Sequence, residues 1–274
     1  MNLGVAALDF APTNALSRAV GRLMEIEWPQ PLLKLVIQAY VQWFGVDLVD
    51  ADEPARGFRT FNDFFTRRLK PAARVVSPSA RVVSPVDGTL LQWGEIGDGA
   101  LRQIKDRSYS VRELLGSDDD AVAYRDGAYV TLYLSPRDYH RVHSPVDGLI
   151  TGYRYIPGRL FPVNQFGVSH VPDLFSRNER LVIFFETGFG KLALVMVGAT
   201  IVGRITVAFS DVQSNRGSPP HESSFAEALP VNRGDEVGAF NLGSTVVLLF
   251  QGLQLTESHF RQGAVVRVGQ VVAE

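Results

Sequence analysis

The sequence predicts an α+β fold: a β-rich antiparallel core with two related half-motifs, preceded by N-terminal amphipathic helices. Three observations predict it. Apolar residues near the N-terminus recur at helical spacing. From Val75 onward, short β-branched runs alternate with Gly, Pro and Asp turns, as in an antiparallel sheet. An octapeptide beginning at Arg81 recurs almost unchanged from Arg141. The composition can fill such a core, since 46% of the 274 residues are hydrophobic and 17 are Phe. Disorder is thereby excluded. The balance of 27 Lys and Arg against 29 Asp and Glu argues against nucleic-acid binding, which favours a basic excess. Zero cysteines exclude disulfides, thiolate metal sites and cysteine nucleophiles. Their absence also fits a cytoplasmic setting.

In chain order, Met1–Ala11 opens without Lys or Arg and carries Asp9, so no secretory signal is expected. Leu16, Ala19, Val20, Leu23 and Met24 form one face of an amphipathic helix, with Arg18 and Arg22 elsewhere. After the break at Trp28-Pro29-Gln30-Pro31, Leu32–Phe44 is apolar except for Lys34, Gln38 and Gln42. Such a helix is ~20 Å long, too short to cross a bilayer. Two readings stay open: a core helix, or an element lying in a membrane interface. In the second, Leu33, Val36, Ile37, Tyr40 and Phe44 enter lipid and the Lys34/Gln38/Gln42 stripe faces headgroups. The expected division is a helical region, 1–50, which the second reading places on a membrane, and a β-rich domain, 51–274.

Thr60 and Asp63 have capping-box spacing ahead of Phe61, Phe64, Phe65 and Leu69, predicting a short helix over about 61–69. Strands are expected at Val82-Val83, Tyr129–Leu134, Leu181–Phe185, Leu192–Val197, Thr200–Val207, Thr245–Phe250 and Val265–Val272, with a helix at Val111–Leu115. Polar Asp211–Glu227 reads as a long loop. The uncharged run Val237–Thr256 contains Asn241, Ser244, Thr245 and several Gly and Gln, so it reads as a buried strand with turns rather than a membrane span.

The repeat is Arg81-Val82-Val83-Ser84-Pro85-Val86-Asp87-Gly88 against Arg141-Val142-His143-Ser144-Pro145-Val146-Asp147-Gly148. Pro-X-Asp-Gly is ordinary turn chemistry. The length of the match favours two half-motifs facing each other, with His143 replacing Val83 as the functional addition. His140 and His143 are the only two of the five histidines close in sequence. They lack the remaining ligands of a zinc motif, so no metal site is expected. No P-loop, GxGxxG or GxSxG occurs. Among Gly116-Ser117, Gly217-Ser218 and Gly243-Ser244, only the last heads an apolar strand. That glycine permits either a plain bulge or a strained backbone.

Together these residues resemble the phosphatidylserine decarboxylases of the bacterial membrane-associated type. The resemblance rests on Phe61-Asn62-Asp63-Phe64-Phe65-Thr66-Arg67, Pro85–Gly88, Tyr133–His143, Gly158–Phe161, Leu174–Arg180, Val197–Gly203 and Leu242-Gly243-Ser244-Thr245, and covers roughly residues 14–274. It implies a pyruvoyl-dependent carboxy-lyase made from an inactive precursor. Asp87, His143 and Ser244 are implied as a self-processing triad and Gly243-Ser244 as the cleavage site, giving chains 1–243 and 244–274. Ser244 would become the pyruvoyl group, a covalent cofactor that accepts electrons through a Schiff base while phosphatidylserine becomes phosphatidylethanolamine. In the triad, His143 acts as base and Asp87 fixes its tautomer. His140 is implied in decarboxylation, as a general acid titrating near neutrality. The implied partners are phosphatidylserine, the membrane surface at the cytoplasmic side of the cell membrane, and the two chains of one precursor, with room for a homodimer and no nucleic acid. Two rivals stay open: a hydrolase acting on an outside substrate through an accessible Ser244, and a non-catalytic membrane-binding module.

Overall fold

A computed structural model describes residues 12–103, 107–200, 204–241, 244–253, 255 and 261–273. In chain order the helices are α1 (Thr13–Met24), α2 (Gln30–Phe44), α3 (Phe61–Phe65), α4 (Val111–Leu115), α5 (Asp118–Val122), α6 (Gln165–His170) and α7 (Leu174–Arg177). The strands are β1 (Ala51–Asp52), β2 (Arg68–Leu69), β3 (Val82–Val83), β4 (Gly88–Glu95), β5 (Ala100–Gln103), β6 (Arg107–Ser110), β7 (Ala128–Leu134), β8 (Arg141–His143) and β9 (Gly148–Ile156). They continue as β10 (Arg180–Thr187), β11 (Gly190–Val197), β12 (Arg204–Val207), β13 (Ser210–Gln213), β14 (His221–Val231), β15 (Glu236–Asn241), β16 (Ser244–Phe250), β17 (Val265–Val266) and β18 (Val271–Ala273).

An eight-stranded sheet of order β14-β9-β10-β11-β16-β7-β4-β17 forms the centre, and its pairings are antiparallel. A four-stranded sheet, β13-β12-β15-β8, covers one face. The middle strand β16 is buried along its whole length because both of its faces are covered. Val247 and Leu249 point into a cluster with Phe64, Phe65 and Leu33 on the helical side. Val246, Leu248 and Phe250 alternate with them and meet Val142, Ile205 and Phe240 on the sheet side.

The structure bears out the α+β, antiparallel prediction. The capping box forms, with Asp63 N–H donating to Thr60 Oγ1 (3.0 Å) and Thr60 N–H donating to Asp63 Oδ2 (3.2 Å). Its helix is shorter than expected. It stops at Phe65, and Arg68–Leu69 leaves as a strand paired with Ala51–Asp52. The expected loop at Asp211–Glu227 is also corrected. Most of it lies in β13 and β14, the latter an edge strand on β9. An edge strand with a solvated face needs no apolar alternation, so its Ser and Glu residues hid it.

The two octapeptides do face each other. Val83 N–H donates to Pro145 O (2.9 Å), and His143 N–H donates to Pro85 O (2.8 Å). Ser84 and Ser144 hydroxyls close matching turns onto Val86 O and Val146 O, both at 2.7 Å. Gly88 and Gly148 are required at matching places, since a Cβ on either would lie 2.5 Å from a neighbouring strand's carbonyl oxygen. Each half leans on a second, fainter repeat that the sequence reading missed: Val231-Asn232-Arg233-Gly234-Asp235-Glu236-Val237 and Val266-Arg267-Val268-Gly269-Gln270-Val271-Val272. Arg233 N–H donates to Asp147 Oδ1 (2.8 Å), as Val268 N–H does to Asp87 Oδ1 (2.9 Å). The cross-strand pair Val83–Val271 in one half corresponds to His143–Glu236 in the other, each next to a register shift.

The N-terminal helices correct the sequence reading of their faces. Helix α2 has three. Leu33, Ile37, Tyr40 and Val41 pack on the core. Lys34, Gln38 and Gln42 form an exposed polar stripe. Leu32, Leu35, Val36, Ala39 and Trp43 form an exposed apolar stripe, with Trp43 84% exposed. Leu33, Ile37 and Tyr40, assigned to lipid from the sequence, therefore belong to the core. Helix α1 turns polar Thr13 and Ser17 inward and leaves Leu16 and Leu23 half exposed. Among the described residues no helix is long and apolar enough to cross a membrane.

Candidate active site

β15 runs beside His140–His143, with Phe240 N–H donating to His140 O (2.9 Å), and Ser244 begins the next strand. Ser244 is also paired with Leu134 at the end of β7, just before the histidine loop. The topology thus brings His140, His143 and Ser244 to one end of the central sheet. Gly243, the other half of the expected cleavage site, lies outside the described residues.

Both ring nitrogens of His143 are engaged. Nδ1 lies 2.7 Å from Gly234 O and Nε2 lies 3.0 Å from Tyr139 Oη. A carbonyl only accepts, so Nδ1 carries the proton and Nε2 offers a lone pair. Burial holds the Tyr139 hydroxyl protonated by raising its pKa, so it donates to that lone pair. Burial also pushes the His143 pKa down, against the opposing pull of the Gly234 carbonyl and the Glu236 and Asp87 charges. Gly234 thus fixes the His143 tautomer, the task that the sequence reading gave to Asp87. Asp87 is nearly buried and gripped by Arg74, from Nε to Oδ1 (3.0 Å) and from Nη2 to Oδ2 (2.5 Å), and its charge acts on both His143 and Tyr139. Two cavities of about 240 Å³ each flank Arg74 and Tyr139, one reaching Asp87 and the other His143.

His140 differs. It is fully buried, its ring 4.1 Å from that of Phe65, and Nδ1 donates to Asp138 O (2.8 Å). Burial, aided by the nearby Arg67 cation, pushes its pKa down to about 3. The ring is neutral near pH 7, which corrects the expectation of a histidine titrating near neutrality. Its Nε2 lone pair has no partner among the described residues, and neither has Ser244 Oγ. Unpaired buried polar atoms are costly, so these two call for an explanation, as do Arg67 Nε and the Tyr109, Thr131 and Thr245 hydroxyls, which are buried without a partner among the described residues in the same way. Ser244 is 1% exposed, which does not suit a hydrolase needing an accessible serine. No cluster of three potential metal ligands occurs among the described residues.

The family profile described as phosphatidylserine decarboxylase matches residues 61–274. A phosphatidylserine decarboxylase proenzyme of Myxococcus xanthus (strain DK1622) is 43% identical over 265 residues, covering 96% of this chain and 95% of that protein. The chain belongs to the phosphatidylserine decarboxylase family. A proenzyme of the same name from Brevibacillus brevis (strain 47) is 43% identical over 268 residues, covering 96% and 94%. One from Acinetobacter baylyi is 41% identical over 279 residues, covering 100% and 95%.

Phosphatidylserine decarboxylase chemistry needs an electron sink, and the buried Ser244 side chain offers a place for one. Its Oγ has no partner among the described residues, it stands at the head of a strand buried at every position, and His140 Nε2, in the loop after β7, likewise has no partner among the described residues. A small ketone formed from Ser244 fits that setting. Sequence reasoning missed Tyr139, Gly234 and Arg74. The doubled Asp-Gly turn, with a second Gly-containing turn packed on each copy, was the available signal for Gly234.

Proposed function

We propose that the chain is a precursor that cleaves itself before Ser244 and then decarboxylates phosphatidylserine to phosphatidylethanolamine. The observation that carries this is the pair of buried, unpartnered atoms, Ser244 Oγ and His140 Nε2, at one end of the sheet. In self-processing, Ser244 Oγ attacks the preceding carbonyl and His143 Nε2 takes the proton, with Tyr139 swinging off that lone pair or relaying the proton. Gly234 O holds Nδ1–H, and Asp87, oriented by Arg74, stabilises the imidazolium. The peptide bond before Ser244 breaks as the ester forms. The ester eliminates across Cα–Cβ of residue 244, freeing chain 1–243 as a carboxylate, and water then displaces ammonia from the dehydroalanine left behind. The pyruvoyl group so formed on chain 244–274 supplies the sink for the electrons left when carbon dioxide departs. His140 Nε2, neutral and without a partner among the described residues, then accepts a hydrogen bond from the bound substrate and is the group placed to deliver a proton at Cα. Burial lowers its pKa, so the ring takes up that proton only when the substrate's negative charge stands beside it.

The exposed apolar stripe of α2, with Leu16, Leu23 and Ile26, supports docking of residues 1–50 on a membrane surface at the cytoplasmic side. The β-rich remainder would carry the chemistry. The deciding experiment is an intact mass under denaturing conditions, with an assay of carbon dioxide release from phosphatidylserine. Chains 1–243 and 244–274, the latter with a pyruvoyl terminus, are expected. A single full-length mass from active protein would overturn the reading. Ser244→Ala should remain one inactive chain.

A further inference from the structure

A third cavity, of about 200 Å³, lies between α1 and the end of β15. Arg18, Arg22, Arg204 and Arg216 line it, against one carboxylate, Glu25. In a chain with slightly more acids than bases, that concentration is local and specific. Asn62 and Asn241 complete its inner wall, with Asn62 Nδ2 donating to Asn241 Oδ1 (2.9 Å). Asn241 also accepts from Arg204 (3.2 Å), which pairs with Glu25. The cavity adjoins the reaction centre by two routes. Asn241 is three residues before Ser244 and follows Phe240, which is bonded to His140 O. Helix α3 carries Asn62 into the cavity and Phe65 onto the His140 ring.

The cavity wall is also built from behind. Glu179, 2% exposed, accepts from Tyr155 Oη and from Asn215 N–H, both at 2.5 Å. Asn215 is held in the left-handed region (φ 56°) and accepts from Arg18 Nη1 (3.5 Å). A non-glycine residue in that conformation marks a locally over-determined position. The negative charge of Glu179 acts on Arg18 from below. No carboxylate among the described residues lies within ion-pair distance of Arg22 or Arg216, so both can meet an incoming anion. The outer side of α1 bears Leu16 and Leu23, so the cavity opens beside the apolar surface where a lipid would leave a bilayer.

We propose that this cavity binds the phosphodiester of the lipid headgroup, with Arg18 and Arg22 as principal donors and Asn62 and Asn241 closing the site toward Ser244. This rests on the decarboxylase reading for the identity of the lipid. Phosphodiester recognition by guanidinium groups is strong and geometrically specific. Phosphorus in a serine phospholipid is three bonds from the reacting Cα, so a phosphodiester site must lie close to the cleavage strand, and Asn241 on this cavity's wall is three residues before Ser244.

The test uses two readouts. In the full-length Ser244→Ala chain, which cannot process, arginine Nε–Hε NMR signals are followed during titration with glycerophosphoserine and, separately, inorganic phosphate. Glycerophosphoserine should saturate the shifts of Arg18 and Arg22 at lower concentration than phosphate. In the processed enzyme, with phosphatidylserine dilute in nonionic micelles, Arg18→Gln and Arg22→Gln should each raise KM about tenfold, the scale of one charge-assisted hydrogen bond, with kcat nearly unchanged. Both variants should bind phosphatidylglycerol vesicles within about twofold of the parent, unlike a general anchor, which would lose about fivefold per cation. Unshifted arginine signals, an unchanged KM, or a KM rise matched by lost vesicle binding would each overturn the proposal. A parent that binds glycerophosphoserine through these arginines but never cleaves would instead refute the decarboxylase reading.

Discussion

The two half-motifs are built alike and differ where chemistry is needed. In the first, Val83 and Val271 face each other across the strand pair, and nothing there can titrate. In the second the same places hold His143 and Glu236, and Arg141 bonds Glu236 at 2.5 Å. The acidic turns diverge in the opposite sense. Asp147 is more than half exposed although its partner Arg233 is largely buried, whereas Asp87 is nearly buried under Arg74. In the proposed reading each half contributes one member to the site, a carboxylate from the first and an imidazole from the second, and the carboxylate is the more buried of the two matched aspartates.

Exchanging the carboxylates tests that contrast most severely. Asp87→Asn should slow appearance of the small chain by about 10³–10⁴-fold, as losses from a catalytic triad do. Asp147→Asn should slow it less than tenfold. Equal effects in a cleavage time course would mean that both aspartates only hold turns.

The histidines of the second half give the next contrast. His140→Ala should still yield both chains yet release about 10²–10⁴-fold less carbon dioxide, the usual contribution of one acid–base group. Near-normal turnover by a fully cleaved variant would remove His140 from the reaction.

Acid stability separates the halves more gently. His140 titrates near pH 3 when folded and near 6.5 when unfolded, so between those values the unfolded chain binds more protons. Stability contributed by the neutral ring is complete above about pH 6.5 and falls as pH drops toward 3, by on the order of 3–5 kcal/mol. His143, shifted the same way, adds to the fall. Urea unfolding of Ser244→Ala and of the Ser244→Ala/His140→Gln double variant at several pH values should show a shallower slope for the latter. Parallel slopes would mean that His140 is not buried neutral.

Helix α2 holds the same kind of contrast between its faces. Trp43→Glu with Leu35→Glu should weaken vesicle binding about tenfold or more and spare the unfolding midpoint, since removing each apolar side chain from lipid costs roughly 1.5–3 kcal/mol. Leu33→Ala should instead lower stability by about 2–5 kcal/mol. A flotation assay in which both changes behave alike would refute the two-faced helix.

Much of this was legible beforehand. The capping box at Thr60, the apolar strand after Ser244 and the doubled octapeptide each carry a local signal that tertiary structure preserved. What escaped depended on packing. Which apolar face of α2 meets the core is set by Phe61, Phe64 and Phe65, distant in sequence. β14 reads as loop because an edge strand may be polar on its open side. Gly234 serves His143 through a backbone carbonyl, and its one sequence signal is the faint second repeat that packs on the doubled Asp-Gly turns.

In the proposed reading, His143 turns a structural half-motif into the processing one. The direct test is the denatured intact mass of His143→Val, which makes the second octapeptide identical to the first. A folded, uncleaved chain of full length is expected after incubation that fully processes the parent. Two chains split before Ser244, appearing at the parental rate, would contradict it.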